Sequence, residues 1–233
     1  MRITIPLCCS LLLVSLLFSP SIQANPCGED ASQNLVGERG SGATPPLLIA
    51  AGDSDQSDVY EQAEAAFREK NYGEVIRILS GPANAEPGNF KINILLAKAE
   101  VEECERLKGE GNPAWKTLVF NPYNRGRRLH AIDKTRPEPY CVVARALIIN
   151  NRPDKALRVI RKGLYFAPNN PEYLMVMGDA YKAKAEKERW SSSDVRRWLS
   201  DAEDAYKKAL TAASEEAGEL KEEIERRLRE LSE

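Results

Sequence analysis

The side chains best suited to chemistry crowd into one stretch. Between Gly111 and Cys141, GNPAWKTLVFNPYNRGRRLHAIDKTRPEPYC holds Trp115, Phe120, Tyr123, Arg125, Arg127, Arg128 and Cys141, with the only histidine of the 233 residues, His130. A cysteine beside a histidine can form a nucleophile and its base, and arginines grip carboxylates and phosphates through paired hydrogen bonds. Yet a single histidine excludes an HExxH helix and any multi-histidine metal site, and no GxSxG, P-loop or GxGxxG pattern occurs. Nothing in the sequence orients a Cys141–His130 pair. The expectation is therefore a protein that is not an enzyme and holds no metal and no cofactor, with His130 packed on the helix that carries Leu129 and Ile132.

The arginines pose a separate question. From Asn112 to Lys162 there are twelve Lys or Arg against three Asp or Glu, in a chain whose net charge is only −2. Such local asymmetry can steer an acidic partner. Trp115, Tyr123, Arg125, Arg127 and Arg128 then form a candidate basic patch. The preceding segment carries Glu100, Glu102, Glu103 and Glu105, which can instead neutralise those cations internally, and the sequence leaves both readings open.

What positions these residues follows from the rest of the chain. Arg2, an apolar run from Ile3 to Phe18 and the small-residue site at Ile22 and Ala24 have the layout of a secretory signal peptide over residues 1–24. The run is shorter than the roughly 20 residues a membrane-crossing helix needs; an uncleaved anchor is the alternative. Cleavage after Ala24 would give a periplasmic or secreted chain with no stable membrane insertion, and nucleic acid drops out as a partner. Residues 25–57, rich in Gly, Ser, Pro and Asp, read as a flexible tether, with the short run Leu47–Ala50 as a segment that could dock on the folded part.

From residue 58 onward apolar positions recur at helical spacing, with Pro, Gly and Asn between the helices. Tyr140, Val143, Ala144, Leu147, Ala156, Ile160 and Pro168 form the clearest unit. Their spacing resembles the tetratricopeptide repeat, a 34-residue helix–turn–helix motif. Val59, Gln62, Ala63, Ala66, Val75, Leu79 and Pro87 follow the same ruler with weaker residues, as do Leu174, Met177, Gly178 and Tyr181. The resemblance implies an all-α, right-handed solenoid over residues 58–213, in four units near 58–87, 88–137, 138–169 and 170–213. Residues 214–233, with Leu220, Ile224, Leu228 and Leu231 on one stripe, read as a capping helix, or as a stripe for a partner helix. Projecting 34 residues from Asn93 reaches position 127, whereas the next unit begins at Tyr140. The stretch from Gly111 is thus an overlong second helix, and the fourth unit has a surplus of similar size.

In that architecture Cys104 and Cys141 lie at opposite ends of neighbouring helices, roughly 15 Å apart at 1.5 Å per residue. A disulfide tolerates no more than about 7 Å between Cα atoms. Cys27 on the tether could reach either one, or a partner; the expectation for Cys104 and Cys141 is a free, buried thiol.

The resemblance also implies a concave groove lined by Tyr60, Ile94, Leu95, Lys98, Val142, Arg145, Met175 and Val176, apolar in its middle, with Lys98 and Arg145 as its cations. These positions can equally be core. The Lys and Asn with which some members of the family clamp a peptide carboxylate are replaced by Tyr60, Glu64, Leu95, Glu138 and Val142. The expected function is an exported scaffold binding a protein or peptide partner in the cell envelope. The alternative is a carrier of a lipid or metabolite for an envelope transport system.

Overall fold

Short polar residues set the helix boundaries. Asn71, Asn89 and Asn170 each accept, through the side-chain oxygen, the backbone N–H three residues later, satisfying a donor that the first turn leaves open. Pro139 and Pro153 occupy first turns, where their missing N–H costs nothing. Lys70, Gly111 and Asn151 follow the first helix of three successive hairpins with φ of 59°, 69° and 54°. This left-handed turn recurs from unit to unit.

The computed structural model describes residues 53–187, 192–214 and 217–232. The expected signal peptide, and the tether up to residue 52, lie outside the described residues. Among those described there are ten helices and no strand: α1 (Asp53–Arg68), α2 (Tyr72–Ala85), α3 (Phe90–Gly109), α4 (Trp115–Leu118), α5 (Phe120–Ile132), α6 (Glu138–Ile149), α7 (Pro153–Phe166), α8 (Pro171–Lys187), α9 (Ser192–Ala212) and α10 (Gly218–Glu230). α1 starts five residues before the expected folded region.

The helices pair as α1/α2, α3/α5, α6/α7 and α8/α9. First helices α1, α3, α6 and α8 pack on one another in an inner layer, and each second helix packs on the first helix of the next hairpin. The result is an all-α array of stacked hairpins with α10 against the last one. The surplus residues of the second hairpin go into a 20-residue α3 and the four-residue α4. Those of the fourth go into α8 and α9, of 17 and 21 residues.

Small residues allow the close approach. A Cβ at Gly178 would lie 2.4 Å from the Tyr206 ring, and one at Gly126 would lie 2.7 Å from Val143 Cγ2. Tyr206 is fully buried between α8 and α9, beneath Ile224 of α10. Burying Ile224 stabilises the docking of α10 by about 2 kcal/mol. Among the described residues no helix is long and apolar enough to cross a membrane.

Candidate functional site

The concave face is built from side chains that α3, α6 and α8 turn away from the core. Arg145 of α6 lies between two carboxylates of α3, with Nη1 2.5 Å from Glu102 Oε1 and Nη2 2.9 Å from Glu105 Oε2. Burial disfavours the Arg145 charge, but Glu105 and Glu102 outweigh it and hold the guanidinium well above its ordinary value. One step along, Lys98 reaches Glu172 of α8 at 3.9 Å. Further on, Asp179 of α8 takes a hydrogen bond from the Tyr206 hydroxyl at 2.7 Å and an ion pair from Arg227 of α10. Burial pushes the Asp179 carboxyl up, against the pull of Arg227 and of the Tyr206 hydroxyl. The Arg227 pair and the buried Ile224 stripe seat α10 along one wall. Its first turn reaches toward Lys70, which is 3.8 Å from Glu219.

These walls enclose an open cleft of about 740 Å³, lined from α2, α3, α6, α8 and α10 together. Its lining carries carboxylates from Glu102, Glu105, Glu172, Glu219, Glu222 and Glu223 against the cations Lys70, Arg145, Arg226, Arg227 and Arg229. The groove expected to be apolar in its middle is therefore a charged one. Leu95, Val142, Met175 and Val176 are buried among the core clusters, because the first helices pack too tightly to leave those faces open. Met175 and Val176 still form part of the cleft floor. Tyr60, Ile94 and Lys98 are half-buried, and Lys91 lies over the Tyr60 ring at 3.8 Å from its centroid.

The candidate basic patch divides. Arg125 is buried, its guanidinium 3.3 Å from both Glu100 oxygens and 2.8 Å from Asn93 Oδ1. It is therefore not a surface residue: α5 turns it inward because Glu100 occupies a core position on α3. Burial pushes the Glu100 carboxyl up, against the opposing pull of Arg125. Trp115 is half-buried against the cluster around Val119 and Cys104, with Lys108 Nζ 5.4 Å from its ring centroid. Tyr123 is half-buried on the outer face, and Arg127 and Arg128 are exposed there. The sequence reading missed Gly126, which lets α5 lie against α6, and Asn93, the third member of the buried cluster. A carboxylate at a core-facing position of α3 was the signal that a buried cation had to meet it.

No Cys141–His130 pair forms. Cys141 is buried and points at Glu172, with Sγ 3.6 Å from Oε1, whereas the His130 ring lies 4.5 Å from that of Tyr140. Burial and Glu172 push the Cys141 thiol well up, and burial with Glu100 pushes Cys104 to about 12, so neither supplies a thiolate near neutral pH. Both are free thiols. Among the described residues no group of His, Cys, Asp and Glu is arranged to hold a metal ion.

No protein-family model matches the chain, and no curated protein matches it. Among solved structures it is similar to a crystal structure of MamA, with 14% identity over 72% of this chain and 91% of that one, at a TM-score of 0.43. A second MamA structure shares 13% identity over 76% and 91%, at 0.45. A Bacteroides ovatus ATCC 8483 protein, provisionally described as protein-binding, shares 16% identity over 75% and 98%, at 0.33.

Proposed function

We propose that the chain is a non-enzymatic, exported scaffold of tetratricopeptide-like hairpins that holds a protein or peptide partner in its concave cleft, in the cell envelope. One observation carries this reading. The cleft takes its lining from five helices, one from each of the four hairpins and α10, so it exists only in the assembled array, and its side chains are fixed by ion pairs before any ligand arrives. Preorganised charges of both signs suit an extended polypeptide with polar and charged side chains. They suit an apolar cargo poorly, which turns the balance away from a lipid carrier. Export rests on Arg2, the apolar run to Phe18 and the small-residue site at Ala24.

The test is purification of the tagged, exported chain from envelope fractions, beside a Lys98→Glu, Tyr72→Ala variant. N-terminal sequencing should place the mature start after Ala24. A polypeptide retained by the parent chain and lost from the variant supports the scaffold. Native mass spectra dominated by a co-purifying small molecule, with no polypeptide retained, would reject it in favour of a carrier.

A further inference from the structure

The positive charge between Asn112 and Lys162 is not all neutralised. Arg125 meets Glu100, Arg145 meets Glu102 and Glu105, and Arg136 meets Asp133 at 3.5 Å. What remains is a set that turns outward. Arg127, Arg152, Lys155, Arg158 and Lys162 are exposed, and among the described residues none of them forms an ion pair. They are not scattered. Arg127, Lys155, Arg158 and Lys162 rim one outer-face groove between α5 and α7, and Arg152 rims a small adjoining hollow that shares Tyr123 and Leu147 with it; neither lining contains a carboxylate.

The floor of that groove is apolar and comes from the α6 face between the two second helices, with Tyr140, Val143 and Leu147 at its centre and Val159 on the α7 side. It has about 360 Å³ of space and continues past Leu147 toward Phe120. On α5 the lining residues Phe120, Tyr123, Arg127 and His130 fall on one stripe, which spans roughly 15 Å at 1.5 Å per residue. On α7 the stripe is Lys155, Arg158, Val159 and Lys162. Exposed aromatic side chains mark both ends: Phe120 is 50% exposed at one, and Phe166, stacked on Tyr140, is 42% exposed at the other. One polar atom inside is unsatisfied. His130 Nδ1 is buried and has no hydrogen-bond partner.

We propose that this groove between α5 and α7 docks an acidic amphipathic helix of a partner protein. Each requirement comes from a feature of the site. An apolar trough open along its length, roughly 15 Å long and walled by two helices, fits an amphipathic segment of about ten residues. Unpaired cations on the rim and no lining carboxylate require acidic residues on the flanks of the occupant. His130 lines the groove, so its ring reports on whatever occupies it. An enclosed acyl chain would want a closed tunnel, and here the trough lies open to solvent. The site is on the face opposite the concave cleft and does not depend on it, so either can fail alone.

The single histidine makes the test direct, because its ring signals in a nitrogen-correlated NMR spectrum need no assignment. The full exported chain is used to select from a phage-displayed library of random 16-residue peptides. The selected peptides are then titrated against the parent chain, a Lys155→Glu, Arg158→Glu variant and a Lys98→Glu variant. The expected result is enrichment of acidic peptides with apolar residues at helical spacing. Their binding should shift the His130 signals, weaken about tenfold in the Lys155→Glu, Arg158→Glu variant, weaken with added salt and persist in the Lys98→Glu variant. The proposal is overturned if no such peptides are enriched, or if they bind without moving His130. It is equally overturned if dodecanoate moves His130 and the peptides do not, which would make the trough a fatty-acid site. A shift that grows with protein concentration alone would make the groove a contact between copies of this chain.

Discussion

Replacing Arg125 by Met removes a guanidinium from a site where its partners have nowhere to go. Glu100 is 3% exposed and Asn93 is 1% exposed, and both direct oxygens at Arg125. Asn93 is further tied by its amide to the Glu86 and Asn89 carbonyls at 3.0 and 2.9 Å, so it cannot swing to water. Breaking a buried pair from one side typically costs about 3–5 kcal/mol, because the remaining charge is left uncompensated. Urea unfolding of the exported chain, followed by far-UV circular dichroism, should show a loss of that size for Arg125→Met. The pH dependence gives an independent sign. Burial already raises the Glu100 carboxyl, and loss of Arg125 raises it further. A carboxyl raised on folding favours the folded state at low pH, and that contribution disappears as pH rises through its folded value. The deficit of Arg125→Met should therefore be largest near neutrality and shrink toward about pH 5. Adding Glu100→Met should recover part of the loss, leaving about 1–3 kcal/mol for the stranded Asn93 oxygen. A loss below about 1 kcal/mol for Arg125→Met, or a loss independent of pH, would show that the guanidinium does not rest in this buried cluster.

Other substitutions test other joints. Gly178→Ala sets a Cβ 2.4 Å from the packed Tyr206 ring and should cost about 1–3 kcal/mol in the same unfolding experiment; an unchanged midpoint would mean α8 and α9 are less closely apposed. Cys104 and Cys141 should resist a thiol reagent in the folded chain and react once urea is added, as peptide mapping would show. Rapid native labelling of either contradicts their burial. Burial, with Lys134 and Lys162 beside it, lowers the His130 value. The unfolded chain therefore takes up that proton first, and stability from this group is present above the ordinary value of 6.5 and is lost as pH falls from there through the lower folded value. An NMR midpoint at or above 6.5 would refute that.

The all-α class was legible because the repeat writes itself in spacing: Ala144, Leu147, Ala156 and Ile160 sit where two helices must touch, and they do. The sites were less legible, for a physical reason. Apolar residues on the inner helices looked like a groove, but a helix flanked on both sides and packed on a third buries nearly its whole circumference, as Leu95, Val142 and Val176 do. The cleft surface falls instead to Glu102, Glu105 and Arg145, whose long stems carry charge out of the packed layer. Charge counting along the sequence could not divide the arginines either. Arg125 and Arg127 are two residues apart, and the helical turn sends one into Glu100 and the other to the outer groove. Only the fold of α10 back onto Asp179 shows that the last helix helps to make a wall as well as an end.

Binding of a polypeptide by the stacked hairpins is a proposal that a cell-based experiment can decide. Photocrosslinking in the living cell tests it, with a photoreactive residue placed in turn at Lys98, whose partner Glu172 lines the concave cleft, at Arg158 on the outer groove and at Glu61 on an exposed face of α1. Discrete adducts with polypeptides are expected from Lys98 and Arg158, each suppressed by its own charge-reversed neighbour, and none from Glu61. Adducts from all three positions alike, or from Glu61 alone, would contradict it.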